Sequence, residues 1–149
     1  MSLRGSRLLP VVALAALIAC GDPTGPDERT ELAFIAPPDP QISMIVDGDD
    51  IIVHAMTYGW DGCYSHHRDW IQVDDENRIA TIRLYNKRAI GGACPDVVVE
   101  IPHRADVDTD VDGQWTVRVI GRAPTMPPGS DELVVEGTVW VGPGPLAAS

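Results

Sequence analysis

From Gln41 onward the apolar residues recur at every second position in short runs, and nowhere after Cys20 do they recur at helical spacing. A chain patterned in this way folds as strands with one buried face. Ile42, Met44 and Val46 point one way, Asp47-Gly48-Asp49-Asp50 supplies turn chemistry, and the β-branched and aromatic run Ile51 to Tyr58 follows, which predicts a hairpin. A second hairpin is predicted from Trp70 to Val73, the polar turn Asp74-Asp75-Glu76-Asn77, and Arg78 to Tyr85, where Ala80, Ile82 and Leu84 alternate against Ile79, Thr81 and Arg83. Val97 to Ile101, Trp115 to Ile120 and Leu133 to Val141 complete about seven strands. The stretches GWDGCYSHHRD and APTMPPGSDE read as loops. Turn signals about every ten residues favour an all-β, antiparallel two-sheet sandwich over a closed barrel.

The segment GQWTVRVIGR resembles the penultimate strand of secreted immunoglobulin-like modules, and the expected class is an immunoglobulin-like sandwich. The spacing departs from a true immunoglobulin domain, because Trp70 lies only seven residues after Cys63. The expected organisation is a leader over 1–19, a Pro-rich tether over 20–40, the β domain over 41–142 and a tail over 143–149. The tether assignment rests on five prolines and several acidic residues in GDPTGPDERTELAFIAPPDP, a composition that cannot build a packed core. Within it, Leu32 to Ala36 is apolar enough to be a short strand or to lie against the domain.

The leader begins with Arg4 and Arg7 and continues with an apolar run from Leu8 to Ala19, too short to span a bilayer comfortably. Leu17-Ile18-Ala19-Cys20 then resembles the lipobox of bacterial lipoproteins. The resemblance implies export, cleavage before Cys20 and lipidation (palmitate among the acyl groups) of the Cys20 thiol, placing the protein on the cell envelope and facing the periplasm or exterior.

Eleven basic and 22 acidic residues give the whole chain a formal charge of −11. Loss of Arg4 and Arg7 with the leader leaves nine basic residues and a charge of −13. Such a surface repels nucleic acid and anionic lipid, so the membrane is reached only through the anchor. With Cys20 consumed by lipid, Cys63 and Cys94 are the remaining pair, and in an oxidising compartment they are expected to form a disulfide.

Three groups carry candidate chemistry. The loop from Cys63 to Asp69 holds His66, His67 and Asp69, a set that coordinates one metal ion only if the chain bends, since neighbouring residues in extended chain face opposite ways. Ser65 beside His66 lacks the spacing of a nucleophile with its base. Asp108, Asp110 and Asp112, followed by Gly113, reproduce the first half of a calcium loop, but Val119 stands where the closing bidentate carboxylate belongs, so calcium binding there is expected to be weak. With Asp106 before them, four aspartates stand at alternate positions; like charges so placed repel along one side of a strand, so this segment is expected to be a bent loop and not a continuation of the Trp115 strand. Tyr58, Trp60 and Tyr64 are candidates for a surface that meets a protein or carbohydrate partner. The expectation is a non-enzymatic, lipid-anchored binding or envelope accessory module without a cofactor. The alternative is a metal-binding protein or metal-dependent enzyme built on the histidine loop.

Overall fold

The structure is a computed structural model that describes residues 28–36, 40–123 and 132–144. The lipobox with Cys20, most of the APTMPPGSDE break and the tail from residue 145 lie outside the described residues. The described chain is all-β: β1 (Glu28–Leu32), β2 (Ile42–Asp47), β3 (Asp50–Gly59), β4 (Tyr64–His66), β5 (Trp70–Asp74), β6 (Ile79–Arg83), β7 (Tyr85–Ala89), β8 (Val99–Asp108), β9 (Gly113–Gly121) and β10 (Leu133–Val141). These form three sheets, ordered β10-β9-β6-β5, β2-β3-β8 and β1-β7-β4.

Both expected hairpins form. β2 and β3 pair antiparallel from Ile42↔Ala55 to Asp47↔Asp50, closed by Gly48-Asp49. Gly48 has φ 65°, which suits a two-residue hairpin turn with glycine at its first central position. β5 and β6 pair from Trp70↔Arg83 to Asp74↔Ile79. Their turn is pinned by the Asp74 carboxylate, which accepts the Asn77 backbone N–H at 3.0 Å and its side-chain amide at 2.9 Å.

Among the described residues ten strands form where about seven were expected, and three sheets where two were expected. β6 lies parallel to β9 from Ile79↔Thr116 to Arg83↔Ile120, and the bridge of Phe34 with Arg122 is parallel too. Part of the difference arises at Leu84, whose N–H donates to Ile120 O at 3.0 Å while its carbonyl accepts Ala33 N–H at 2.9 Å. There the chain leaves one sheet for another, so the single run read from Arg78 to Tyr85 becomes β6 and β7.

The stretch read as tether is partly structural. β1 pairs with β7 from Glu28↔Ala89 to Leu32↔Tyr85, and Ala33, Phe34 and Ile35 are buried. Arg122 fastens this segment: its Nε donates to Leu32 O at 3.1 Å, its Nη2 meets Glu31 at 3.1 Å, and its guanidinium lies 3.6 Å from the Phe34 ring centroid. Gly121 is required by the same approach, since a Cβ there would stand 2.6 Å from Ile35 Cδ1 and 2.8 Å from Ala33 O.

Alternation builds the core. Ile51, Val53 and Ala55 of β3 and Ala105 and Val107 of β8 bury the same side as Ala80 and Ile82 of β6 and Trp115, Val117 and Val119 of β9. Each buried aliphatic side chain of this size contributes about 1.5–3 kcal/mol relative to exposure. Trp115 is wholly buried and its Nε1–H donates to Val111 O at 2.8 Å, which satisfies its polar atom. Pro102 lies in β8, an outer strand of its sheet, where the missing N–H is tolerated.

Candidate functional site

The inward-facing rows of β3, β7 and β8 end in polar residues that meet one another. Parity carries Ile51, Val53 and Ala55 on to Thr57, Leu84 on to Asn86, and Val107, Ala105 and Ile101 to His103. All three polar side chains are buried. Thr57 Oγ1 donates to Ile101 O at 3.2 Å and accepts Asn86 Nδ2–H at 3.0 Å. His103 Nε2 lies 2.9 Å from Thr57 Oγ1 and 3.0 Å from Asn86 Oδ1.

Toward the surface, His103 Nδ1 is 2.8 Å from Asp69 Oδ1, and Asp69 Oδ2 is 3.5 Å from His66 Nε2. The His66 and His103 rings meet edge to face with centroids 4.7 Å apart. The His66 side chain is 47% exposed, against 6% for Asp69 and 1% for His103, so the cluster runs from solvent into the interior. β4 carries His66, the connection to β5 carries Asp69, and β8 carries His103.

Of the histidine loop, His66 and Asp69 enter this cluster, and its third member is His103 rather than His67. His67 instead lines a neighbouring groove of about 620 Å³ with Arg68, Asp69, Trp70 and Ile71, closed on its other side by Arg83 and Tyr85. Trp70 is 46% exposed in this groove, with the Arg83 guanidinium 5.9 Å from its ring centroid. Ser65 is exposed and pairs with Lys87 across the β4–β7 ladder.

Cys63 and Cys94 form the expected disulfide, with Cα atoms 5.4 Å apart. It joins the β3–β4 turn to the β7–β8 connection, which are also linked by Gly62 N–H to Pro95 O at 2.9 Å. Asp61 stands beside the bridge, but both sulfurs are bonded to each other and are not available as ligands. The Arg88 guanidinium, 2.8 Å from Asp61, holds the Asp61 carboxyl below its usual range.

The aspartate segment divides. Contrary to the expected loop, Asp106 and Asp108 alternate along β8, where they face outward and exposed; residues 109–112 carry no regular structure before β9 begins at Gly113. Among the described residues Asp108, Asp110 and Asp112 do not bring three ligand atoms within 4.8 Å of one another. Thr109, between them, is buried and donates to Asp49 O at 2.6 Å.

The aromatic group gathers on the N-terminal segment. Phe34 packs edge-on against Trp60, centroids 5.1 Å apart, and against Tyr64 at 6.4 Å, and it bridges to the backbone of Tyr58. Tyr64 donates to Glu31 at 2.7 Å. Burial, reinforced by that carboxylate, pushes the Tyr64 phenol up to about 12.

Thr57 and Asn86 were not read from the sequence as part of a site, whereas His54 and His103 were histidines that only the fold could bring to the loop, and it brings His103. The readable signal was a polar residue at the inward parity of a strand, in each of three strands. Comparison of the chain with protein families, with curated proteins and with solved structures gives no match.

Proposed function

We propose that the chain is a lipid-anchored, extracytoplasmic β-sandwich module that binds an extended segment of a protein partner along β5. Strand addition of this kind takes affinity from main-chain hydrogen bonds and selectivity from pockets for alternate side chains. The observation that carries the reading is β5 itself. Among the described residues β6 is its one ladder partner, and Trp70, Ile71 and Val73 are exposed. Natural proteins blunt such an edge with lysine, proline or a bulge, and the sequence Trp-Ile-Gln-Val carries no lysine or proline. The groove at the start of β5 supplies a pocket, and Asp74, Asp75 and Glu76 at its far end favour a basic residue on the partner.

The sandwich is supported by the single apolar core that the β2-β3-β8 and β10-β9-β6-β5 sheets bury together. The immunoglobulin-like assignment is supported by GQWTVRVIGR, which forms β9 with Trp115 in that core. Envelope location and the anchor are supported by Leu17-Ile18-Ala19-Cys20 and by the disulfide, which suits an oxidising compartment. Binding rather than catalysis is supported by Thr57: it is the hydroxyl beside the Asp69–His103 pair, yet it is 0% exposed and cannot reach a substrate.

The test is fluorescence anisotropy of a labelled peptide of alternating valine and threonine flanked by lysines, titrated with the full chain in detergent at physiological salt. Saturable binding is expected, lost in Ile71→Lys/Val73→Lys and absent for a peptide of equal charge with proline at alternate positions. Binding that ignores both changes, or no binding, would overturn strand addition. Saturation by a neutral oligosaccharide instead would move the site to the carbohydrate class.

A further inference from the structure

We propose that His66, Asp69 and His103 form a site for one divalent transition-metal ion of the zinc class. The argument begins at a backbone carbonyl. Ile101 O can only accept, so Thr57 Oγ1 spends its one proton on it at 3.2 Å. The Thr57 oxygen then accepts from its other two neighbours, Asn86 Nδ2–H at 3.0 Å and His103 Nε2–H at 2.9 Å. With Asn86 Nδ2 turned to Thr57, its Oδ1 faces the same Nε2–H at 3.0 Å. The proton of a neutral His103 therefore sits on Nε2, held by two buried acceptors.

Nδ1 of that imidazole carries a lone pair, and it faces the Asp69 carboxylate at 2.8 Å. Two acceptors at this distance repel unless a cation lies between them, either a proton or a metal ion. His66 Nε2 comes to 3.5 Å from the other oxygen of the same carboxylate, and the ligand atoms of all three residues lie within 4.8 Å of one another. Ligand atoms on a tetrahedral ion at about 2.1 Å stand about 3.4 Å apart, close to the 3.5 Å from His66 to Asp69 Oδ2; His103 meets the other oxygen, Oδ1, at 2.8 Å and must open by about 0.6 Å, so the carboxylate holds the ion through both oxygens or turns to present one.

The surroundings are those of a metal ligand. A coordinating histidine ordinarily donates its other N–H to an oxygen that fixes its tautomer, and Asn86 and Thr57 do so for His103. Two imidazoles and one carboxylate leave further coordination positions for water or a partner group, the pattern of open rather than closed zinc sites. Access runs through His66, whose side chain is 47% exposed, while His103 anchors the site at 1%. Asp69 also lines the groove beside β5, so a bound ion would stand at its end.

This site stands apart from the strand-addition reading, and its test does not use the peptide. The full chain in detergent, stripped with chelator, is titrated with zinc by calorimetry, and cobalt is followed by visible absorption. One equivalent is expected, with cobalt d–d bands and no sulfur-to-cobalt charge-transfer band. His66→Ala removes an exposed ligand without opening the core and should weaken binding by about 10-fold or more, while the adjacent control His67→Ala leaves it unchanged. His103→Gln, with native-like circular dichroism as the check on folding, should abolish it. No saturable zinc uptake, affinity undiminished in His66→Ala, or equal losses in His66→Ala and His67→Ala would overturn the site.

Discussion

Breaking the Cys63–Cys94 bridge isolates the part of the stability that comes from the denatured chain. The bridge closes a loop of 31 residues, and the loop-entropy relation assigns such a closure about 12 cal/mol/K, or about 3.7 kcal/mol at 25 °C. The native fold retains its other links around the bridge. Gly62 still donates to Pro95 O in the β7–β8 connection, and β7 still holds the β3–β4 turn through Ala89 N–H to Cys63 O at 3.2 Å and through Arg88 to Asp61. Cys63→Ser/Cys94→Ser should therefore fold to the same β structure while losing about 3–4 kcal/mol, a large share of the roughly 5–15 kcal/mol typical of a domain. With a urea dependence of about 1.5–2 kcal/mol/M, the unfolding midpoint should fall by about 2–2.5 M. Either single serine variant should lose about as much as the double, because the two cysteines act as one unit. Equilibrium urea unfolding followed by tryptophan fluorescence measures all three. A midpoint shift below about 0.5 M, or two freely alkylated thiols in the native wild type, would refute the reasoning.

Cys20→Ala should move the protein from the detergent phase to the aqueous phase on phase separation, and unchanged partitioning would remove the anchor. Gly121→Ala should cost about 1–3 kcal/mol by urea unfolding, because the added methyl meets the Ala33 carbonyl as well as the flexible end of Ile35; unchanged stability would mean that the N-terminal segment is not packed against β9. The Tyr64 phenol should deprotonate near pH 12, and Tyr64→Phe should delete that step from the ultraviolet titration. Its native value lies above its ordinary value of 10.0, so the folded state holds the proton more tightly and this contribution to stability is complete below about pH 10 and declines toward pH 12. A Tyr64→Phe variant that keeps the late step would contradict the Glu31 contact.

Period-two patterning was enough to read the two hairpins, because each pairs neighbours in sequence and closes on glycine or aspartate turn chemistry. It could not show that Leu84 divides one run between two sheets, or that β6 lies parallel to β9, since those depend on where distant strands dock. The prolines around Glu28–Leu32 masked a strand whose stability comes from Arg122 and Gly121, some 90 residues away. At the candidate site, His66 and Asp69 were visible as a polar loop, whereas His103 could be named as a candidate but not placed, because only the docking of β8 brings it beside them.

The position of β1 also sets how a tethered molecule responds to load. Were the chain anchored at Cys20 as proposed, seven residues would lie between the lipid and Glu28, and the eight Cα steps span at most about 29 Å, which would keep the domain close to the bilayer. A pull on that proposed anchor would enter the described domain at Glu28. It acts along β1, whose five backbone pairs with β7 run from Glu28↔Ala89 to Leu32↔Tyr85 and are backed by the Arg122 clamp on Phe34. Force directed along the ladder loads those pairs together instead of opening them one by one. In a molecule tethered as proposed, the first strand would be the mechanical root, with the Arg122 guanidinium over Phe34 among the contacts that resist its removal.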